Sequence, residues 1–126
     1  MKAQELRIGN WVINVDEYWE VRLVDFNSMY IEKSCPFKPI LITEDILLKC
    51  GFVEDGDYFK KGVLDMFYCL KYYKHLNGYY FYIQYSDSPF EWDDNTFYPI
   101  SCTYKYLHQL QNLYFCLTRT ELEIKL

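Results

Sequence analysis

The chain is 126 residues long, 51% hydrophobic and 25% charged, the size and balance of one ordinary domain with its own core, which argues against intrinsic disorder. Its net charge of −5 argues against coating extended nucleic acid through clustered Lys and Arg. No apolar run approaches the roughly 20 residues that span a bilayer, and the start, MKAQELRIGNW, lacks an apolar signal core, so no membrane and a cytoplasmic setting are expected.

Aromatic residues make up 21% of the chain, with 14 Tyr, 9 Phe and 3 Trp, a composition that favours strands and supplies amphipathic rings to binding surfaces. From Arg7 onward three β-prone runs follow one another, near Trp11 to Val15, Trp19 to Asp25 and Ser28 to Lys33. They are separated by turns at Asn14 to Glu17 and Phe26 to Ser28, and Gly9-Asn10 forms a tight turn before them. A three-stranded meander is expected. Pro36 and Pro39 end that signal, and ITEDILLKCGF carries helix punctuation: Thr43 as N-cap, Glu44 and Asp45 in the first turn, Gly51 then Phe52 at the exit. Past Glu54 to Asp57, strands are expected over Tyr58 to Lys60, Val63 to Tyr73 and Tyr79 to Tyr85, with turns at Lys61-Gly62 and at Leu76-Asn77-Gly78. Ser86 to Asn95, SDSPFEWDDN, reads as an exposed acidic loop. Tyr104 to Thr118 repeats apolar residues at helical spacing, and Glu121 to Leu126 alternates like a strand with Leu122, Ile124 and Leu126 facing inward.

The expected fold is therefore α+β in one domain spanning residues 1–126: two antiparallel β-meanders, one short central helix and a C-terminal helix packed on the sheet.

Three blocks, MKAQELRIGNWV, PILITEDILLKCGF and YKYLHQLQNLYFCLT, resemble a family of small uncharacterised proteins from gut Bacteroidetes genomes, their phages and mobile elements; HQLQNLYF is the most specific run. Relatives usually carry a glycine after the final helix, where this chain has Arg119. The resemblance implies a bacterial or phage origin and a cytoplasmic setting, and brings no activity, cofactor or site residue.

Nothing in the sequence reads as a catalytic site or calls for a cofactor. Cys35, Cys50, Cys69, Cys102 and Cys116 are scattered without a C-x-x-C, which fits small buried hydrophobes better than a zinc site or disulfide framework. Asp87, Glu91, Asp93 and Asp94 could converge on a hard cation, but their spacing matches no calcium loop, and no metal is expected. The same loop offers Phe90, Glu91, Trp92, Asp93 and Asp94 as a protein-binding edge, where aromatic anchors count most. His108, Gln109, Gln111 and Asn112 lie off the apolar stripe of the last helix and either bond neighbouring backbone or line a groove. Lys71, Tyr73, Lys74 and His75, running into Tyr79 to Tyr85, could instead meet a nucleotide or single-stranded nucleic acid, rings on bases and cations on phosphates. The leading expectation is a non-enzymatic interaction protein, an accessory factor of a phage or mobile element acting on a host protein. Nucleotide or single-strand binding is the alternative, a small hydrolase using His108 the third reading, and self-association stays open.

Overall fold

The computed structural model describes residues 1–63, 66–85 and 97–126. Their contacts gather into two compact units, one of Met1–Ile42 with Tyr106–Ile124 and Leu126, the other of Thr43–Lys105 with Lys125. The described residues form an α+β fold with antiparallel sheets.

The first unit opens with a 3-10 turn at Ala3–Glu5 and a hairpin of β1 (Trp11–Asn14) and β2 (Glu17–Glu20). Val15 and Asp16 join the strands with φ of 48° and 65°, the two positive angles of a type I′ turn, whose twist suits paired strands. No third strand follows. Leu23–Glu32 is instead a helix, α1, whose first turn is closed by Asp25: its carboxylate accepts the Arg22 backbone N–H at 2.8 Å and the Trp19 indole N–H at 3.0 Å. Met29 and the half-buried Phe26 turn inward onto a core of Leu6, Val12, Val21 and Phe37. Leu23, Val24, Tyr30 and Ile31 face outward and are exposed, so the helix is apolar on two sides. That removes the amphipathic stripe by which a helix is recognised and leaves its aromatic and β-branched residues reading as a strand.

α2 (Leu107–Thr118) closes this unit, packing against β1 with Leu107 and Leu110 fully buried. Arg119 caps it in the left-handed region, φ 57°, and donates its N–H to the Phe115 carbonyl at 2.7 Å. The expected terminal strand is absent: only Leu122 is buried and Leu126 is exposed. The alternation suits an extended segment, but no described strand edge receives it as a ladder.

The second unit begins with the well-marked short helix at Glu44–Lys49. Thr43 Oγ1 accepts the Ile46 N–H at 3.2 Å. At the exit, Gly51 takes φ 88° while Phe52 and Gly51 donate their N–H groups to Leu47 and Leu48 carbonyls, a Schellman cap. Then come β3 (Val53–Asp55), β4 (Tyr58–Val63), β5 (Met66–Tyr73), β6 (Gly78–Tyr85) and β7 (Phe97–Tyr104), antiparallel and paired in chain order. Lys61-Gly62 is not a turn; both residues lie inside β4, which stays paired with β5 as far as Val63 with Met66. Between β5 and β6 a 3-10 turn at Lys74–Leu76 ends on Asn77 at φ 50°, where the sequence places the loop. β7 carries no clear strand signal because Pro99 interrupts it; Pro99 pairs with Tyr82, and β7 is the outermost strand among the described residues, a place where proline is tolerated. The acidic loop, with Asp87, Phe90, Glu91, Trp92, Asp93 and Asp94, lies outside the described residues.

Candidate functional site

Strand alternation divides the second unit's sheet into two unlike faces. Phe59, Tyr68, Leu70, Tyr79 and Phe81 share the dry one and are buried. The register places Tyr58, Lys60, Cys69, Lys71, Tyr73, Tyr80 and Tyr82 on the other. There Tyr58 stands opposite Lys71 and Lys71 opposite Tyr80, while Lys60, Cys69 and Tyr82 make the next row.

The tyrosines are half-buried and hold one another in place. Tyr73 and Tyr82 share a hydroxyl hydrogen bond of 2.8 Å. Tyr73 meets Tyr80 edge-on at 5.3 Å and Tyr58 meets Tyr82 edge-on at 5.9 Å, both favourable quadrupole geometries. Lys71 Nζ lies 5.4 Å from the Tyr58 ring centre and 5.3 Å from that of Tyr73, a cation shared between two π faces. Burial, then the bond to Tyr73, raises the Tyr82 hydroxyl above its ordinary value, so it remains a neutral hydrogen-bonding group. Cys69 lies in the floor of this face, fully buried, and burial pushes its thiol up to about 12, which removes it as a nucleophile near neutrality. Gly78, opposite Tyr73, is required by its surroundings: a Cβ there would come within 2.4 Å of the Thr103 methyl.

Beside Lys71 a hollow of about 570 Å³ is lined by Glu44, Glu54 and Asp57 together with Tyr72 and Tyr79. Burial, followed by the charge of Glu44, raises the Tyr79 hydroxyl.

Of the residues singled out by sequence, Lys71 and Tyr73 belong to this face, and His75 in the 3-10 turn stands edge-on to Tyr73 at 5.8 Å. Lys74 is exposed in the same turn. Tyr58 and Lys60 went unnoticed because they precede the aromatic run; only the pairing of Tyr58 with Lys71 brings them in.

The polar residues of α2 are placed otherwise. Gln109 Oε1 accepts the Tyr106 N–H at 3.1 Å and caps the helix. Gln111, fully buried, accepts the Trp11 N–H at 2.8 Å and donates to the Gly9 carbonyl at 3.1 Å. Asn112 Oδ1 accepts from Asn10 Nδ2 at 2.8 Å and Arg7 Nε at 3.2 Å, while its Nδ2 donates to the Glu5 carbonyl at 3.1 Å. Arg7 also pairs with Glu121 and lies 4.3 Å over the Phe115 ring. Gln111 and Asn112 thus fasten the RIGNW turn to the helix. His108 is buried, and among the described residues neither of its ring nitrogens finds a hydrogen-bond partner; its Nε2 is 4.0 Å from Glu5 Oε1, and burial lowers its proton affinity. Among the described residues no three His, Cys, Asp or Glu side chains converge as a metal site, and no helix is long and apolar enough to cross a membrane.

No family model, curated protein or solved structure matches the chain.

Proposed function

We propose that the protein is a non-enzymatic binding module that contacts another protein through the tyrosine face of its five-stranded sheet. The observation that carries this reading is the cluster of Tyr58, Tyr73, Tyr80 and Tyr82 around Lys71: partly exposed amphipathic rings held by edge-on contacts, with the Tyr73 and Tyr82 hydroxyls bonded to each other. Tyrosine gives large contact area with little entropy to lose, which is why it is enriched in recognition surfaces. The resemblance of its three sequence blocks to Bacteroidetes phage and mobile-element proteins supports a cytoplasmic accessory factor acting on a host protein.

Single-stranded nucleic acid is the second reading, favoured by the Lys71 ammonium between two tyrosine rings. The net charge of −5 weighs against phosphate contacts there. The two are separated by affinity capture from host lysate with the wild type and with Tyr80→Ala, checked for folding by circular dichroism. One host protein enriched by the wild type and lost with Tyr80→Ala is the expected result. Enriched nucleic acid, released by moderate salt and with no protein partner, overturns the protein reading.

A further inference from the structure

We infer that the hollow lined by Glu44, Glu54, Asp57, Tyr72 and Tyr79 binds the guanidinium of an arginine side chain presented by another polypeptide. Tyr72 and Tyr79 stand opposite each other on β5 and β6, on the dry face of the sheet and away from the tyrosine cluster, so the site is separate from the surface proposed above. Their rings lie 5.2 Å apart at 59°. Tyr72 is 48% exposed and its hydroxyl donates to Asn77 Oδ1 at 3.3 Å, whereas Tyr79 is only 5% exposed. Glu54 pairs with Phe59, which places it on the same side of the sheet. The volume of about 570 Å³ falls in the range of small-ligand sites, roughly 300–1,000 Å³.

Two independent observations call for a cation there. The first is unbalanced charge: among the described residues, none of Glu44, Glu54 and Asp57 forms an ion pair. Asp55, on the other side of the sheet, takes Lys60 at 2.8 Å, and Lys71, which borders the hollow, carries its ammonium to the Tyr58 and Tyr73 rings on that other side. The second is the Tyr79 hydroxyl, which finds no hydrogen-bond partner among the described residues although its side chain is buried. Glu44 and Tyr72, the groups whose charge acts on it, both line the hollow, so the hydroxyl faces it. A donor bound there would satisfy a group that is costly to leave unbonded.

Size and donors select the cation. Among the described residues the carboxylates do not converge as a metal site, which needs oxygens at roughly 2.0–2.6 Å from one centre, so the charge they balance is spread over a larger group. A quaternary ammonium is large enough but has no N–H for Tyr79. A guanidinium carries several N–H donors in one plane, stays charged, and stacks on aromatic faces. It can lie on the exposed Tyr72 ring and donate from its edge to the Tyr79 hydroxyl and the carboxylates. Arginine within a polypeptide suits this acidic rim better than the free amino acid, whose own carboxylate the rim repels.

The test is titration of the full chain with N-acetyl-arginine amide, followed by NMR of isotope-labelled tyrosine rings. Saturable shifts of the Tyr72 and Tyr79 signals are expected, and none with N-acetyl-citrulline amide, which keeps the shape and loses the charge. Glu44→Gln should weaken binding about fivefold. Tyr79→Phe should weaken it by a similar factor without lowering the urea midpoint, because it strands no partner. Glu17→Gln, the same loss of charge on exposed β2 in the first unit, should bind as the wild type does. Backbone amide spectra establish that each variant is folded. An absence of saturable shifts overturns the inference. So does citrulline or tetramethylammonium binding as tightly as the arginine probe, or free arginine binding more tightly than the capped residue. Glu44→Gln weakening binding no more than Glu17→Gln, or Tyr79→Phe binding as the wild type does, overturns it as well.

Discussion

At the scale of single residues, two buried polar groups of α2 make opposite predictions. Gln111 spends both ends of its amide on backbone, the Trp11 N–H and the Gly9 carbonyl, so Gln111→Leu strands a donor and an acceptor. A loss of about 2–4 kcal/mol is expected in urea denaturation. His108 has no such partners, and its neighbours are the Glu5 carboxylate, the amino terminus and the stacked Tyr106 ring. Burial places its folded proton affinity below the ordinary 6.5. The unfolded chain therefore takes up the proton first as pH falls, and stability declines from about pH 6.5 until the folded histidine is itself protonated; above that window the residue has no pH effect. His108→Leu should change stability little at neutral pH and flatten this decline. Urea midpoints at about pH 7.5 and 5.5 for both proteins check it, since carboxylate contributions are common to the pair.

At the scale of elements, the chain places side chains where backbone geometry disfavours them. Val15 is β-branched at φ 48° in the β1–β2 turn, and Arg119 holds φ 57° at the end of α2. Val15→Asn and Arg119→Gly are each expected to raise stability by about 0.5–1 kcal/mol, seen as a higher denaturation midpoint, because Asn and Gly accept these angles with less strain. The same backbone features explain which elements could be read in advance. The Glu44–Lys49 helix was legible because its signals, Thr43, Glu44, Asp45, Gly51 and Phe52, are local and mutually consistent. α1 was not, because Leu23, Val24, Tyr30 and Ile31 face outward while only Phe26 and Met29 turn to the core. The tail from Glu121 to Leu126 shows the converse error: alternation is compatible with a strand, yet a ladder also needs a free edge, which sequence does not report.

At the scale of the whole molecule, the candidate surfaces were legible to different depths. Lys71, Tyr73 and His75 stood out as a basic-aromatic run, but joining Tyr58 to them required the β4–β5 register, a long-range fact. The α1 face was hidden by the strand reading of its own residues. The apolar residues of α1 divide into an inward set, Phe26 and Met29, and an exposed set, Leu23, Val24, Tyr30 and Ile31, and no single period in the sequence separates the two, because which side of a helix meets the core is decided by the long-range packing of Leu6, Val12, Val21 and Phe37.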